Sequence, residues 1–64
     1  MTGQTPSVND SAFDLVRRIA NNWYVVTQNA GLIGVNPPSV NDSQFDLWKK
    51  TAYYTALLAD YFHP

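Results

Sequence analysis

Pro6-Ser7-Val8-Asn9-Asp10-Ser11-Ala12-Phe13-Asp14-Leu15 returns 32 residues later as Pro38-Ser39-Val40-Asn41-Asp42-Ser43-Gln44-Phe45-Asp46-Leu47. Nine of the ten positions are identical. The likeness then continues in kind, Arg17-Arg18 becoming Lys49-Lys50 and Ala20 becoming Ala52. A period of this size belongs to a supersecondary unit used more than once. The unit reads as a helix start. An asparagine side chain accepts from the open N–H groups of a first turn, which predicts Asn9 and Asn41 as N-caps. Val8 with Phe13, and Val40 with Phe45, then stand at hydrophobic-staple spacing. Gln44 completes a capping box in the second copy, and Ala12 spoils it in the first. Ser11 with Asp14 offers an alternative register two residues on. Either way Asp10, Asp14, Asp42 and Asp46 fall near the positive end of a helix dipole. Asp14 also precedes Arg17 and Arg18, and Asp46 precedes Lys49 and Lys50, by three and four residues, the spacing of helix-surface ion pairs.

Outward from the repeat, apolar spacing predicts an all-α chain with two helices, over about 10–29 and 42–61. In the first, Phe13, Val16, Ala20, Trp23 and Thr27 form one stripe, and Ala12, Leu15, Ile19 and Val26 a neighbouring one, wider together than a single partner helix needs. The run Trp23-Tyr24-Val25-Val26 is β-like and weakens the helix there. Gly31 is a natural stop, with Leu32 placed to fold back on the last turn. In the second helix Phe45, Trp48, Ala52, Thr55, Leu58 and Phe62 make one stripe, and Leu47, Thr51, Tyr54 and Leu58 another. Between the helices, Gly31 to Pro37 reads as an extended linker, since Gly34, Pro37 and Pro38 oppose a helix and Asn36 and Pro37 each precede a proline. Its apolar Leu32, Ile33 and Val35 call for a cover. Such a linker can run back along the first helix, so that the second restarts parallel to it, or close a loose antiparallel hairpin. The resulting division is a tail over 1–5, copy one over 6–30, a linker over 31–37 and copy two over 38–64.

Composition narrows the chemistry. A chain of 64 residues leaves much of its surface open and is marginal alone, and with no cysteine it has no disulfide or thiolate metal site to stiffen it. Oligomerisation or docking on a larger body is then the expected source of stability. A formal net charge of −1 lacks the basic excess of a nucleic-acid binder. The single histidine, His63, reads as a frayed terminal residue and not as a ligand or base. Asp10 and Asp14 have no third or fourth ligand for calcium. No nucleophile–base pair, phosphate loop or ligand cluster is visible, so no catalytic, cofactor or metal residues are expected and the chain is not predicted to be an enzyme. The start of the chain has neither the basic nor the apolar run of a signal peptide, and no stretch is long and apolar enough to span a membrane.

The aromatic load is what remains. Tryptophan and tyrosine suit interfaces, covering much area while tolerating a wet edge, and two helices cannot bury so many rings between themselves. Phe13, Trp23, Phe45, Trp48, Tyr54, Leu58 and Phe62 are therefore predicted to contact other protein chains, in a homo-oligomer or a larger assembly. Trp48 is the best anchor, because it replaces Val16 at the equivalent position of the repeat.

The motif Asn-Asp-Ser-x-Phe-Asp-Leu followed by a basic pair, over Asn9–Ala20 and Asn41–Ala52, resembles short repeats in small structural proteins of tailed bacteriophages. The resemblance implies a virion component, held or folded by neighbouring subunits, with no catalytic residues to carry over. Outside that reading the chain is expected in the cytoplasm. The alternatives are a small regulatory binding protein of inhibitor or antitoxin kind, and an interfacial membrane peptide using Thr51 to Leu58. The second lacks the strong basic face such helices carry.

Overall fold

The computed structural model describes residues 2–63; Met1 and Pro64, the outer limits of the expected tail and second copy, lie outside the described residues. Two helices, α1 (Ala12–Asn29) and α2 (Gln44–Tyr61), pack against each other, with no strand among the described residues. The all-α class and both C-terminal ends agree with the sequence reading, while both helices start two residues later than expected.

The late start has a chemical cause. Ser11 Oγ accepts from the Asp14 N–H at 3.1 Å and the Asp14 carboxylate accepts from the Ser11 N–H at 3.0 Å. Ser43 and Asp46 repeat both bonds, each at 3.1 Å. Serine is therefore the N-cap in both copies, closed into a full capping box, and the expectation of Asn9 and Asn41 as caps is corrected. A serine with a carboxylate three residues on satisfies two open donors at once, one of them through a charge-assisted bond. Asn9 and Asn41 sit instead inside turns, closed by Asp10 N–H to Ser7 O and by Asp42 N–H to Ser39 O, both 3.1 Å. With Asp14 and Asp46 committed to the caps, the expected pairs to the following cations do not form. Arg17 lies over the Phe13 ring at 4.8 Å and Lys49 over the Phe45 ring at 5.0 Å.

α1 runs unbroken through Trp23–Val26, so packing overrides the β preference of that run. Its end is a Schellman turn: Leu32 N–H bonds to Thr27 O and Gly31 N–H to Gln28 O. Gly31 takes φ +84°, a left-handed conformation that costs glycine nothing.

Two contacts fix the direction of α2. Early in each helix, Val16 and Ala20 cluster with Leu47. Further along, the Tyr24 and Tyr54 rings meet at 5.7 Å. Both members of the second contact lie later in their helices than those of the first, so the helices are parallel. The intervening chain runs back beside them, and α2 holds it: Tyr54 Oη donates to Asn36 O at 2.7 Å and Lys50 Nζ to Pro37 O at 3.1 Å.

The first copy holds its own leading segment by the same register. Asn22 Nδ2 donates to Gln4 O at 3.0 Å and Arg18 Nη1 to Thr5 O at 2.7 Å. Each unit is thus a strap, a turn, a capped start and a helix, and it begins at Gln4 or Asn36. Part of the expected tail belongs to copy one and the last residues of the expected linker to copy two. The connector proper is residues 31–35. Within it Leu32 and Val35 are half-buried, while Ile33 is 96% exposed.

The core is small. Val16, Ala20, Leu47, Tyr54 and Leu58 are buried, with Thr27 and Thr51 beside them. Each threonine hydroxyl is satisfied locally, by Tyr24 O at 2.6 Å and Leu47 O at 2.9 Å, as a buried donor requires.

Candidate protein interface

The charged groups of the repeats are spent on the fold. Arg18 meets Asp10 through a hydrogen bond from Nη2 to Oδ1 at 3.1 Å and an ion-pair contact of Nε with Oδ2 at 2.7 Å. Lys50 makes one contact with Asp42 at 2.6 Å. The Ser7 backbone N–H and then the Arg18 guanidinium hold the Asp10 carboxyl below its ordinary range. For Asp42 the Lys50 ammonium leads and the Ser39 N–H follows, and for Asp14 the Ser11 N–H leads and its hydroxyl follows. Hydrogen bonds to the charged form act in this direction. A carboxylate with a lowered pKa is a poor proton shuttle near neutrality.

A shallow hollow of about 500 Å³ is lined by Asn36, Asp42, Asp46, Lys49, Lys50 and Tyr53. Its polar lining groups are already engaged: Asp42 with Lys50, Asp46 with the Ser43 cap, and Asn36 O with Tyr54. Tyr54 itself is pushed up to about 12, first by burial and then by Tyr24 and Asp42, so its hydroxyl remains a donor. Among the described residues, no three His, Cys, Asp or Glu side chains gather to hold a metal. No helix of the described residues is long and apolar enough to cross a membrane.

The predicted contact residues divide. Tyr54 and Leu58 are buried in the chain's own core, which corrects their placement at an outer interface; Tyr54 lies between the returning strap, at Asn36 O, and the Tyr24 ring of α1. Phe13 is half-buried against the Val16–Ala20–Leu47 cluster. Trp23, Phe45, Trp48 and Phe62 are exposed, Phe62 meeting Tyr61 edge-on at 4.9 Å beyond the end of α2. Val16 is 1% exposed and Trp48, its counterpart in the repeat, 49%.

Exposure follows the helix faces. α1 turns Phe13, Val16, Ala20 and Thr27 inward, while Leu15, Ile19 and Val26 stay open along its other stripe. α2 does the reverse: Leu47, Thr51, Tyr54 and Leu58 face inward, and Phe45, Trp48, Ala52, Ala56 and Ala59 are open. The stripe of Leu15, Ile19 and Val26 was missed as a contact surface because aliphatic residues on a helix read first as core. Subtracting 32 from the inward face of α2 is the signal that finds it. No protein-family model, curated protein or solved structure matches this chain.

Proposed function

We propose that this chain is a non-enzymatic structural module that docks on or links other protein subunits, as a small virion component of a tailed phage. One observation carries the interaction reading: each helix keeps one apolar stripe for the chain's own core and leaves a second open. Apolar surface arranged as a continuous stripe, and not as scattered residues, marks a protein contact. The charged groups agree with it, because capping, strap-holding and ring contacts already occupy Asp10, Asp14, Arg17, Arg18, Asp42, Asp46, Lys49 and Lys50. The virion placement rests on the resemblance of the repeated motif to phage structural proteins.

The test is incorporation. In particles purified from infected cells, the chain should be present in fixed ratio to the major structural subunits. Trp48→Asp should remove it from particles while its helical circular dichroism is kept. A chain absent from particles ends the virion reading, and one whose incorporation ignores Trp48 ends the docking role of that stripe.

A further inference from the structure

We infer that the occupant of the open stripes is a second copy of this chain, joined head to tail by the contact that already joins α1 to α2. The inference rests on the interaction reading above and names its partner. Its basis is the register of the repeat. Within one chain, the face of α1 carrying Phe13, Val16, Ala20, Tyr24 and Thr27 meets the face of α2 carrying Leu47, Thr51, Tyr54 and Leu58. Because the two units share one fold and lie parallel, each helix owns both faces. The unused counterpart on α2 is Phe45, Trp48, Ala52, Ala56 and Ala59, and the unused counterpart on α1 is Leu15, Ile19, Asn22 and Val26. These are the two open stripes. Applying the α1-to-α2 step once more sets α1 of a second copy, by its Leu15 face, on the Trp48 face of the first.

The substitutions between the faces keep the contact's character. Leu47 and Leu15 are the same residue, and Leu58 becomes Val26. Tyr24 and Tyr54, which pair across the internal contact, become Ala56 and Asn22 in the junction. Their bulk is returned nearby, where Val16 becomes Trp48 and Thr55 is matched by Trp23. Both contacts therefore hold one phenylalanine and two further rings, and Arg17, whose charge acts on Asp42 across the internal contact, is matched by Lys49 and Asp42 by Asp10 in the junction. The strap also recurs: Gln4 and Thr5 lie against α1 as Asn36 and Pro37 lie against α2, so the junction is flanked as the internal contact is. On a helix of 3.6 residues per turn the two faces of one helix stand about 130° apart. A row built this way bends, as a heterologous contact that closes into a ring of few copies must.

The test uses the full chain in two single-face variants, Trp48→Asp on α2 and Ile19→Asp on α1. Both positions are open, so helix content should match the unchanged protein by circular dichroism. Sedimentation from micromolar to millimolar concentration should show the unchanged chain associating beyond a dimer. Each variant alone should sediment at the monomer mass of 7.2 kDa, its association weakened about 30-fold or more, as loss of an interface anchor implies. Mixed, each variant supplies the face the other lacks, and the pair should form a one-to-one complex of twice that mass and stop. If Ile19→Asp alone still dimerises and Trp48→Asp adds nothing to it, the contact is two-fold and the head-to-tail inference is overturned. An unchanged chain that stays monomeric across the range overturns it as well. In that case, Trp48-dependent incorporation into particles would still support docking on a different subunit.

Discussion

The two copies of the unit make the same bonds at their starts and different ones along their helices. From Gln4 to Leu15 and from Asn36 to Leu47 the strap, turn, box and cation tie recur at matching positions, even where Arg18 becomes Lys50 and Thr5 becomes Pro37. Only a carbonyl is needed from Thr5 or Pro37 and only a donor from Arg18 or Lys50, so these exchanges leave the geometry alone. Beyond that point Val16 is matched by Trp48, Asn22 by Tyr54 and Ile19 by Thr51. Restarting a helix after an extended strap is one backbone problem with one good answer. The faces answer to whatever lies against them, and there the copies are free to differ.

The comparison breaks most readily at Tyr54. Tyr54→Ala empties the largest buried position and should cost about 3–5 kcal/mol in urea unfolding. Asn22→Ala, at the half-buried counterpart on α1 that donates to Gln4 O, should cost about 1 kcal/mol. Equal losses would mean that both straps are seated alike. Next come two leucines with one name and different surroundings. Leu47→Ala should lose about 2–5 kcal/mol, and Leu15→Ala, measured where the chain is monomeric, less than about 1 kcal/mol. A large loss at Leu15 in the monomer would assign its stripe to the core. The caps should show no such asymmetry: Ser11→Ala and Ser43→Ala should each cost about 1 kcal/mol, and Asn9→Ala and Asn41→Ala less than about 0.5 kcal/mol. A larger effect at the asparagines would return the cap to them.

The pH extremes sharpen the contrast. Asp10, Asp14 and Asp42 are lowered from 3.8. What they contribute is present above that value and lost as pH falls through their folded values, in both copies. Tyr54 is raised from 10.0 to about 12, so its contribution is present below 10.0 and lost as pH rises through about 12. Circular dichroism should show this alkaline loss of helix, and Tyr54→Phe should remove it. An unchanged alkaline transition in that variant would place its origin elsewhere.

Much of this was legible beforehand. The repeat, the helix ends at Asn29 and Tyr61, the Gly31 stop and both apolar stripes of each helix follow from spacing alone. The cap did not, because two overlapping registers offer good residues, and the reciprocal Ser-x-x-Asp bonds outweigh a lone asparagine. Nor did the division of the stripes into inner and outer. A stripe of Leu47, Thr51, Tyr54 and Leu58 is no more apolar than one of Phe45, Trp48 and Ala52. Which is covered depends on where the strap returns, and hydrogen bonds from Tyr54 and Lys50 to backbone carbonyls 18 and 13 residues earlier leave no periodic trace.

The connector Gly31–Val35 carries a practical consequence. It is all that separates the end of one unit from the strap of the next. Grafted after Phe62, the same five residues would lead straight into another Gln4 or Asn36. Single polypeptides of three, four or more units could then be written from one gene, and the size of such a chain would be set by counting units in its coding sequence.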